Sequence, residues 1–343
     1  MTTSIGSGLG SSFGTAPEVT YGTAVIPTRW TTPTNAKLKL QPQYVQGQGL
    51  RQGSLVEDVN DRVWSAADVT GTVEHPFYQN GMGQLIGSLM GSLNTTPVQQ
   101  SATIAYLQTH ALATNLGQSL TIQQGIPDAS TGLLHLWITQ GAKVIQGQFS
   151  CEVGQLLLAN FTVDGQDRVE SGTAPAAPTL LSGNQVYGFP NMTVKVGASG
   201  SEVQVDGVKK WDATIKRVMA DKRFNAGNVT TNPGGYAIKD QPIDNGFFDI
   251  SGTLDTEFID TTKFVDVFIN NTTFSMIVAF TGPIIASTFK YAVTFNFPAC
   301  KYTGGDPEID GPVIVNPSLP FKVLNDDTHV PATITIMATD TAL

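Results

Sequence analysis

The chain is poor in cysteine, in charge and in long apolar runs. Two cysteines in 343 residues, Cys151 and Cys300, are too few and too far apart for a disulfide framework, so free buried thiols are expected. No apolar run approaches the roughly 20 residues that a membrane-spanning helix needs, which leaves no membrane partner to expect. The opening residues, Met1 to Ile5, lack the basic segment and apolar core of a secretory signal, which leaves an expectation of cytoplasmic origin. Basic charge is also short: 19 lysines and arginines face 28 acids, for a net charge of −9. The one basic concentration runs from Lys209-Lys210 through Lys216-Arg217 to Lys222-Arg223. Its spacing reads as solvated residues on the outer face of a strand pair, which disfavours sequence-specific DNA binding. An acidic protein can still lie beside nucleic acid without gripping it.

Catalytic and metal-binding patterns are missing as well. His75, His110, His135 and His329 have no cysteine or carboxylate at metal-ligand spacing, and His135 sits in an apolar strand, where a core or half-buried imidazole is expected. There is no nucleophile elbow, phosphate loop or zinc helix. Gly6-Ser-Gly-Leu-Gly10 has glycines at phosphate-loop spacing, but no strand precedes it and no helix follows. Asp306-Pro-Glu-Ile-Asp310-Gly311 imitates a calcium loop, yet its twelfth position is Pro317 where a bidentate glutamate belongs. Asp164, Asp167, Asp326 and Asp327 read as turn residues. The expectation is a protein that is not an enzyme and holds no cofactor or metal.

What the chain does contain is glycine, 35 of them, and short runs of threonine, valine and isoleucine, the composition of an all-β protein with minor α content. Strands are predicted at Leu133–Ile138, Leu156–Val163, Met192–Val196, Phe274–Phe280, Tyr291–Phe297 and Ala332–Met337, and Asp206-Gly207 predicts a hairpin turn. Lys37-Leu-Lys-Leu-Gln41 alternates as a strand and Arg62-Val-Trp64 returns, so Gln46 to Gly53 becomes the mobile tip of an oversized hairpin. Met82, Leu85, Ile86, Leu89, Met90 and Leu93 form one helical stripe. Phe264, Val265, Phe268 and Ile269 form a shorter one, with Asp260 as its N-cap.

Two stretches match each other. Asp68-Val-Thr-Gly-Thr-Val-Glu74 resembles Asp249-Ile-Ser-Gly-Thr-Leu-Asp255, Ala142-Lys-Val144 resembles Ala299-Cys-Lys301, and Phe161-Thr-Val163 resembles Phe321-Lys-Val323. The repeated order suggests an internal duplication: a flexible arm over 1–30, a β-sandwich domain over 31–168, a linker over 169–184 and a second β-sandwich domain over 185–343, each domain with its own core and one flanking helix. The first half carries extra residues between Leu93 and Leu133.

Several spaced motifs resemble one family. They are Gly8-Leu-Gly10, Ala16-Pro-Glu18 with Tyr21 and Ala24, Pro27-Thr-Arg29, Leu38-Lys-Leu40, the glycine-rich hairpin near Leu50-Arg51, Asp68-Val-Thr-Gly71 before the helix, Gly141-Ala-Lys143 before Phe149-Ser150, and Leu319-Pro-Phe321 with a final strand near Ile334. Over most of its length the chain resembles the major tail (tail tube) proteins of long-tailed bacteriophages. The resemblance implies a structural virion protein that assembles with itself into stacked rings, a conduit for DNA, with tail terminator, tape measure and tail tip proteins as further partners. It implies inter-subunit contacts at Gly8, Glu18, Tyr21, Gln46, Gly49, Leu50, Arg51 and Gly53. Asp68, Thr70, Thr72 and Glu74, with Asp249, Ser251, Thr253 and Asp255, are then candidates for the inner wall. A duplicated chain would close a trimer with pseudo-sixfold appearance, with a hexamer as fallback. An acidic lumen that repels phosphate would let DNA slide. The competing readings are a carbohydrate-binding or adhesive β-sandwich module, for which Trp30, Trp64, Trp137 and Trp211 are too scattered, and a two-carboxylate glycosidase, for which no pair stands out.

Overall fold

Short alternating runs broken by glycine and proline fold into strands over nearly the whole chain. The computed structural model describes residues 6–128, 130–171, 178–181, 183–220, 222–230, 235–258, 262, 264–307, 311 and 314–343. The first half contains β1 (Ser12–Pro17), β2 (Arg29–Thr31), β3 (Asn35–Gln46), β4 (Arg62–Pro76), α1 (Gly83–Met90), β5 (Val98–Gln99), β6 (Tyr106–Ala111), β7 (Leu120–Pro127), β8 (Leu134–Glu152), β9 (Leu158–Gly165) and β10 (Asp167–Ser171). The second half begins with β11 (Met192–Gly197), β12 (Val203–Gln204), β13 (Val208–Lys216), β14 (Met219–Ala220), β15 (Phe224–Val229), β16 (Ala237–Lys239) and β17 (Ile243–Asp244). It continues with β18 (Asp249–Thr256), α2 (Val265–Ile269), β19 (Phe274–Ala286), β20 (Phe289–Tyr302), β21 (Ser318–Val323) and β22 (Thr333–Ala338). Among the described residues the protein is all-β with two short α-helices, and the six long strands predicted from the sequence overlap β8, β9, β11, β19, β20 and β22, three of them starting one or two residues early.

The principal sheet runs β3-β4-β9-β8-β13-β18-β21, antiparallel throughout, and β21 then pairs with the end of β20. The pairing diagram of the first half recurs in the second. Leu38 lies opposite Gly71 and Gly71 opposite Val163; likewise Ala213 lies opposite Gly252 and Gly252 opposite Phe321. β1-β7-β8-β10 corresponds to β11-β19-β20-β22, with the same register slip between Leu120 and Ile122 as between Phe274 and Met276. Even the strand ends agree: Phe77 N donates to Leu157 O at 2.7 Å, and Phe258 N to Val315 O at 3.0 Å. The ladder also corrects part of the sequence match. Val163, not Phe161, holds the place of Phe321, and Lys143 pairs where Lys301 does. Gly71 and Gly252 are both required by close approach, since a Cβ would meet the Lys37 carbonyl oxygen at 2.0 Å and that of Asp212 at 2.1 Å.

Other expectations change for physical reasons. The first 30 residues are not all a loose arm, because β1 is a central strand between β2 and β7 with Phe13, Thr15 and Ala16 buried. Polar composition hid this, since both of its ladder partners satisfy backbone that would otherwise need water. The halves do not bury separate cores. Trp211 of β13 packs against Phe280 and Phe295, Phe295 against Phe77 and Phe149, and one apolar cluster spans both halves. The extra residues of the first half supply β6, which pairs with β22 and joins the halves a second time. Residues 169–171, assigned to the linker, belong to β10. Asp206 lies at a bend and Gly207 has a left-handed φ of 76°, but β12 pairs with β11 and not with β13, so the predicted hairpin does not form.

The helix α1 ends as its sequence directs, with Gly91 left-handed at φ 76°. All eight of its residues are buried, polar Gln84 and Ser88 included, so the stripe faces core on every side. At α2 the N-cap residue Phe264 is buried, whereas Ile269 at the other end is exposed. The N-cap predicted at Asp260 lies outside the described residues, as does part of the Asp306–Gly311 loop. Cys151 and Cys300 are free and buried, and burial pushes the Cys151 thiol up to about 11.

Candidate assembly surface

The outer part of the β3–β4 hairpin is exposed along almost all of residues 41–63. Its two strands pair from Asn35–Glu74 to Gln46–Arg62, leaving residues 47–61 as the tip. Beyond β4, β3 pairs with no other strand among the described residues, and only Gln124 Nε2 reaches the edge, donating to Ala36 O at 3.0 Å. Such a row of unpaired N–H and C=O groups is a template for another strand. The tip is held together locally rather than by the body of the protein. Asp58 pairs with Arg51 and accepts from Asn60 N at 2.9 Å, which holds its carboxyl below the usual range, while Gln46 Nε2 donates to Asp58 O at 2.8 Å. Leu50 and Leu55 are fully solvated, and Tyr44, Val45, Val56, Val59 and Val63 are exposed beside them. An apolar group of this size on a surface marks an interaction site.

Of the predicted contact residues, Gly8, Gly49, Leu50, Arg51 and Gly53 are exposed and Gln46 is half-buried at the base of the tip. Glu18 and Tyr21 differ, for they are used within the subunit. The Glu18 carboxylate accepts from Gly22 N, Ser119 Oγ, Thr121 Oγ1 and Gly141 N at 2.6–3.0 Å. It therefore ties together two motifs that the sequence presented separately, Ala16-Pro-Glu18 and Gly141-Ala-Lys143. Burial raises the Tyr21 phenol far above its usual range, with Asp164 adding to the shift.

The eight inner-wall candidates share one face of the principal sheet, because they alternate with core residues Val69, Val73, Ile250 and Leu254. Thr70 accepts from Gln41 Nε2 at 2.8 Å, Glu74 from Asn35 Nδ2 at 2.6 Å, Asp255 from Ser318 Oγ at 2.6 Å, and Asp249 pairs with Lys322 at 3.2 Å. Asp68 alone is covered. On the same face the six lysines at 37, 39, 210, 216, 301 and 322 offset the five acids Glu74, Glu152, Asp212, Asp249 and Asp255. The chain's acid excess is thus not concentrated on this face. A groove of about 340 Å³ on it is lined by Gln148, Ser150, Glu152, Lys210 and Asp212, and burial raises the Asp212 carboxyl. Among the described residues, no group of histidine, cysteine or carboxylate side chains is placed to hold a metal.

Asp68 is covered by a second arm, residues 217–248, which joins β13 to β18 as the first tip joins β3 to β4. This arm turns back onto the first half. β16 pairs in parallel with β4 at Ala237–Ala66, and buried Lys239 Nζ bonds both Asp68 and Asp164. Tyr236 Oη donates to Asp167 at 2.6 Å, and Trp64 stacks on Tyr236 at 4.1 Å. Lys143 Nζ donates to Asn115 O at 2.9 Å and to Pro242 O at 3.1 Å, and burial pulls it down to about 8. Arg217 binds Asp244, Leu89 O and Ala113 O, so the basic cluster of the sequence divides: Arg217 is buried and Lys216 is solvated. Sequence reasoning missed Lys239. Its only advance signal was a lone lysine in a polar, glycine-rich stretch.

A surface built of an unpaired strand edge, an apolar tip and a polar sheet face is suited to joining like copies. No curated protein matches the chain. A family model described as phage tail tube protein matches residues 8–323. That match covers most of the 343 residues, and the chain belongs to the phage tail tube protein family, a structural component of the bacteriophage tail.

Proposed function

We propose that copies of this chain join edge to edge into a closed ring of three, and that rings stack into the tube through which the phage genome passes. The observation that carries this reading is the β8–β13 joint, where the first half ends and the second begins. The repeated wiring, which a gene duplication would account for, provides that joint once within the chain. It leaves its two components, the β3 edge and the end of β20, open at opposite ends of the sheet. Successive copies filling the open joint would extend the sheet until it closes, and closure removes every edge. Two equivalent units per chain make three chains equal to six units.

In such a ring Thr70, Thr72, Glu74, Ser251, Thr253 and their neighbours form the inner wall. A face of balanced charge and short hydroxyl and amide side chains offers DNA no counterion-releasing grip, so passage needs no acidic lining. The tip at Gln46, Gly49, Leu50, Arg51 and Gly53, and the segment at Gly8, contact adjacent copies. Tail terminator, tape measure and tail tip proteins meet the ends and lumen of the tube. Negative-stain microscopy with symmetry analysis tests the reading. Stacked rings with threefold symmetry are expected, true sixfold rings of whole chains would keep the tube and remove the trimer, and a chain that stays monomeric even with tail tip complexes present would remove both.

A further inference from the structure

On the reading that rings form, we infer the residue register of the joint between copies: β3 of one copy pairs antiparallel with the Thr303–Asp306 run that follows β20 of the next, placing Lys39 opposite Asp306 and Gln41 opposite Gly304. The template lies inside the chain. At the β8–β13 joint, Lys216 is opposite Gln146, Thr214 opposite Gln148 and Ala213 opposite Phe149. Leu38 stands opposite Gly71 as Ala213 stands opposite Gly252, so Lys39 holds the place of Thr214 and Gln41 that of Lys216. Tyr302 stands opposite Phe321 as Val144 stands opposite Val163.

Downstream, the Phe258–Val315 hydrogen bond repeats the Phe77–Leu157 bond. The stretch from Tyr302 to Val315 is therefore as long as that from Val144 to Leu157, with no residue inserted. Gly304 then holds the place of Gln146, and Asp306 that of Gln148.

Two further observations fit. β8 continues as a strand to Glu152 with β13 along its edge, whereas β20 stops at Tyr302, where β21 lies on one side and, among the described residues, no strand lies on the other. Gly304-Gly305 is a poor strand former by itself, and Thr303 N already continues the ladder to Pro320 O at 2.8 Å. Lys39 and Asp306 are both exposed, and placed opposite each other they form a favourable cross-strand charge pair. The equivalent position within the chain is uncharged, with Thr214 facing Gln148, so the charge pair marks the joint between copies.

The test is a cysteine pair in the full-length protein, Lys39→Cys with Asp306→Cys, oxidised in assembled rings and read on a non-reducing gel. Covalent multimers are expected, at least about tenfold more than from the register-shifted pair Lys37→Cys with Asp306→Cys, and none from the natural chain, whose thiols are buried. Equal or better cross-linking of the shifted pair, or none from either pair while microscopy shows rings, overturns the register and leaves the ring. Failure of the natural chain to form rings removes the ring reading and the register with it. A charge swap adds a second readout: Lys39→Asp lowers ring yield, and adding Asp306→Lys to it restores that yield.

Discussion

The two arms leave the sheet at equivalent places, between β3 and β4 and between β13 and β18, and end in opposite circumstances. The second arm lies on the first half of its own chain, fixed by Lys239 between Asp68 and Asp164, by the β16–β4 bridge and by Tyr236 on Trp64. Among the described residues the tip of the first arm holds to itself, through Asp58, with Leu50 and Leu55 in solvent. The contrast teaches that an exposed apolar tip here is not a flaw of folding. It is one member of a repeated arrangement, and on the ring reading proposed above its partner surface belongs to another copy.

The sharpest way to break the contrast is to release the anchored arm. Lys239→Met removes the shared cation from two buried carboxylates, and breaking a buried ionic group in this way costs about 3–5 kcal/mol. Chemical denaturation should show that loss, and limited proteolysis should move into residues 217–248. If stability were unchanged, the buried triad would not be what fixes the arm.

A comparable effect distinguishes the halves by pH. His75 of β4 is buried between Phe13 and Phe161, and among the described residues neither ring nitrogen has a partner; burial lowers it from 6.5 to about 3. The corresponding residue of β18 is Thr256, which titrates nothing. The unfolded chain takes up a proton below pH 6.5 that the folded chain refuses until about pH 3. Stability present above 6.5 is therefore lost as pH falls through that window, on the order of 4 kcal/mol by its lower end. His110, lowered to about 4 by burial, adds to the same loss. His75→Leu should raise stability at neutral pH and flatten the acid limb of a pH series; an unchanged slope would assign the limb elsewhere.

A smaller effect probes the equivalence itself. Gly71→Ala and Gly252→Ala each press a methyl group on a facing carbonyl, and overpacking of this kind costs about 1–3 kcal/mol. Near-equal losses of thermal stability are expected, and a large disparity would mean that the shared register does not carry shared energetics.

The same equivalence explains what could be read in advance. Period-two alternation revealed the long strands, and Gln46 to Gly53 between two alternating runs revealed the hairpin, since both signals are local. β1 was hidden because Ser12–Pro17 is ordinary in composition and its partner strand, β7, lies a hundred residues away. Glu18 was legible as a family feature but not as an internal tie, because its four donors come from three separate segments. The balance of charge on the sheet face was invisible for a similar reason: net charge is a sum over the chain, and which lysines face which acids depends on register.

The smallest effect on folding should accompany the largest on assembly. Leu50→Ser and Leu55→Ser remove apolar groups that touch nothing in the subunit, so folding stability should change by no more than about 0.5 kcal/mol. If the tip docks on a neighbouring copy, the same variants lose the burial of two leucines per contact, roughly 1.5–3 kcal/mol each, repeated at every joint of a ring. Thermal melts and ring counts by microscopy on one preparation separate the two. A variant that melts like the natural chain and no longer forms rings establishes the tip as an assembly element. One that still forms rings normally confines the interface to the strand edge.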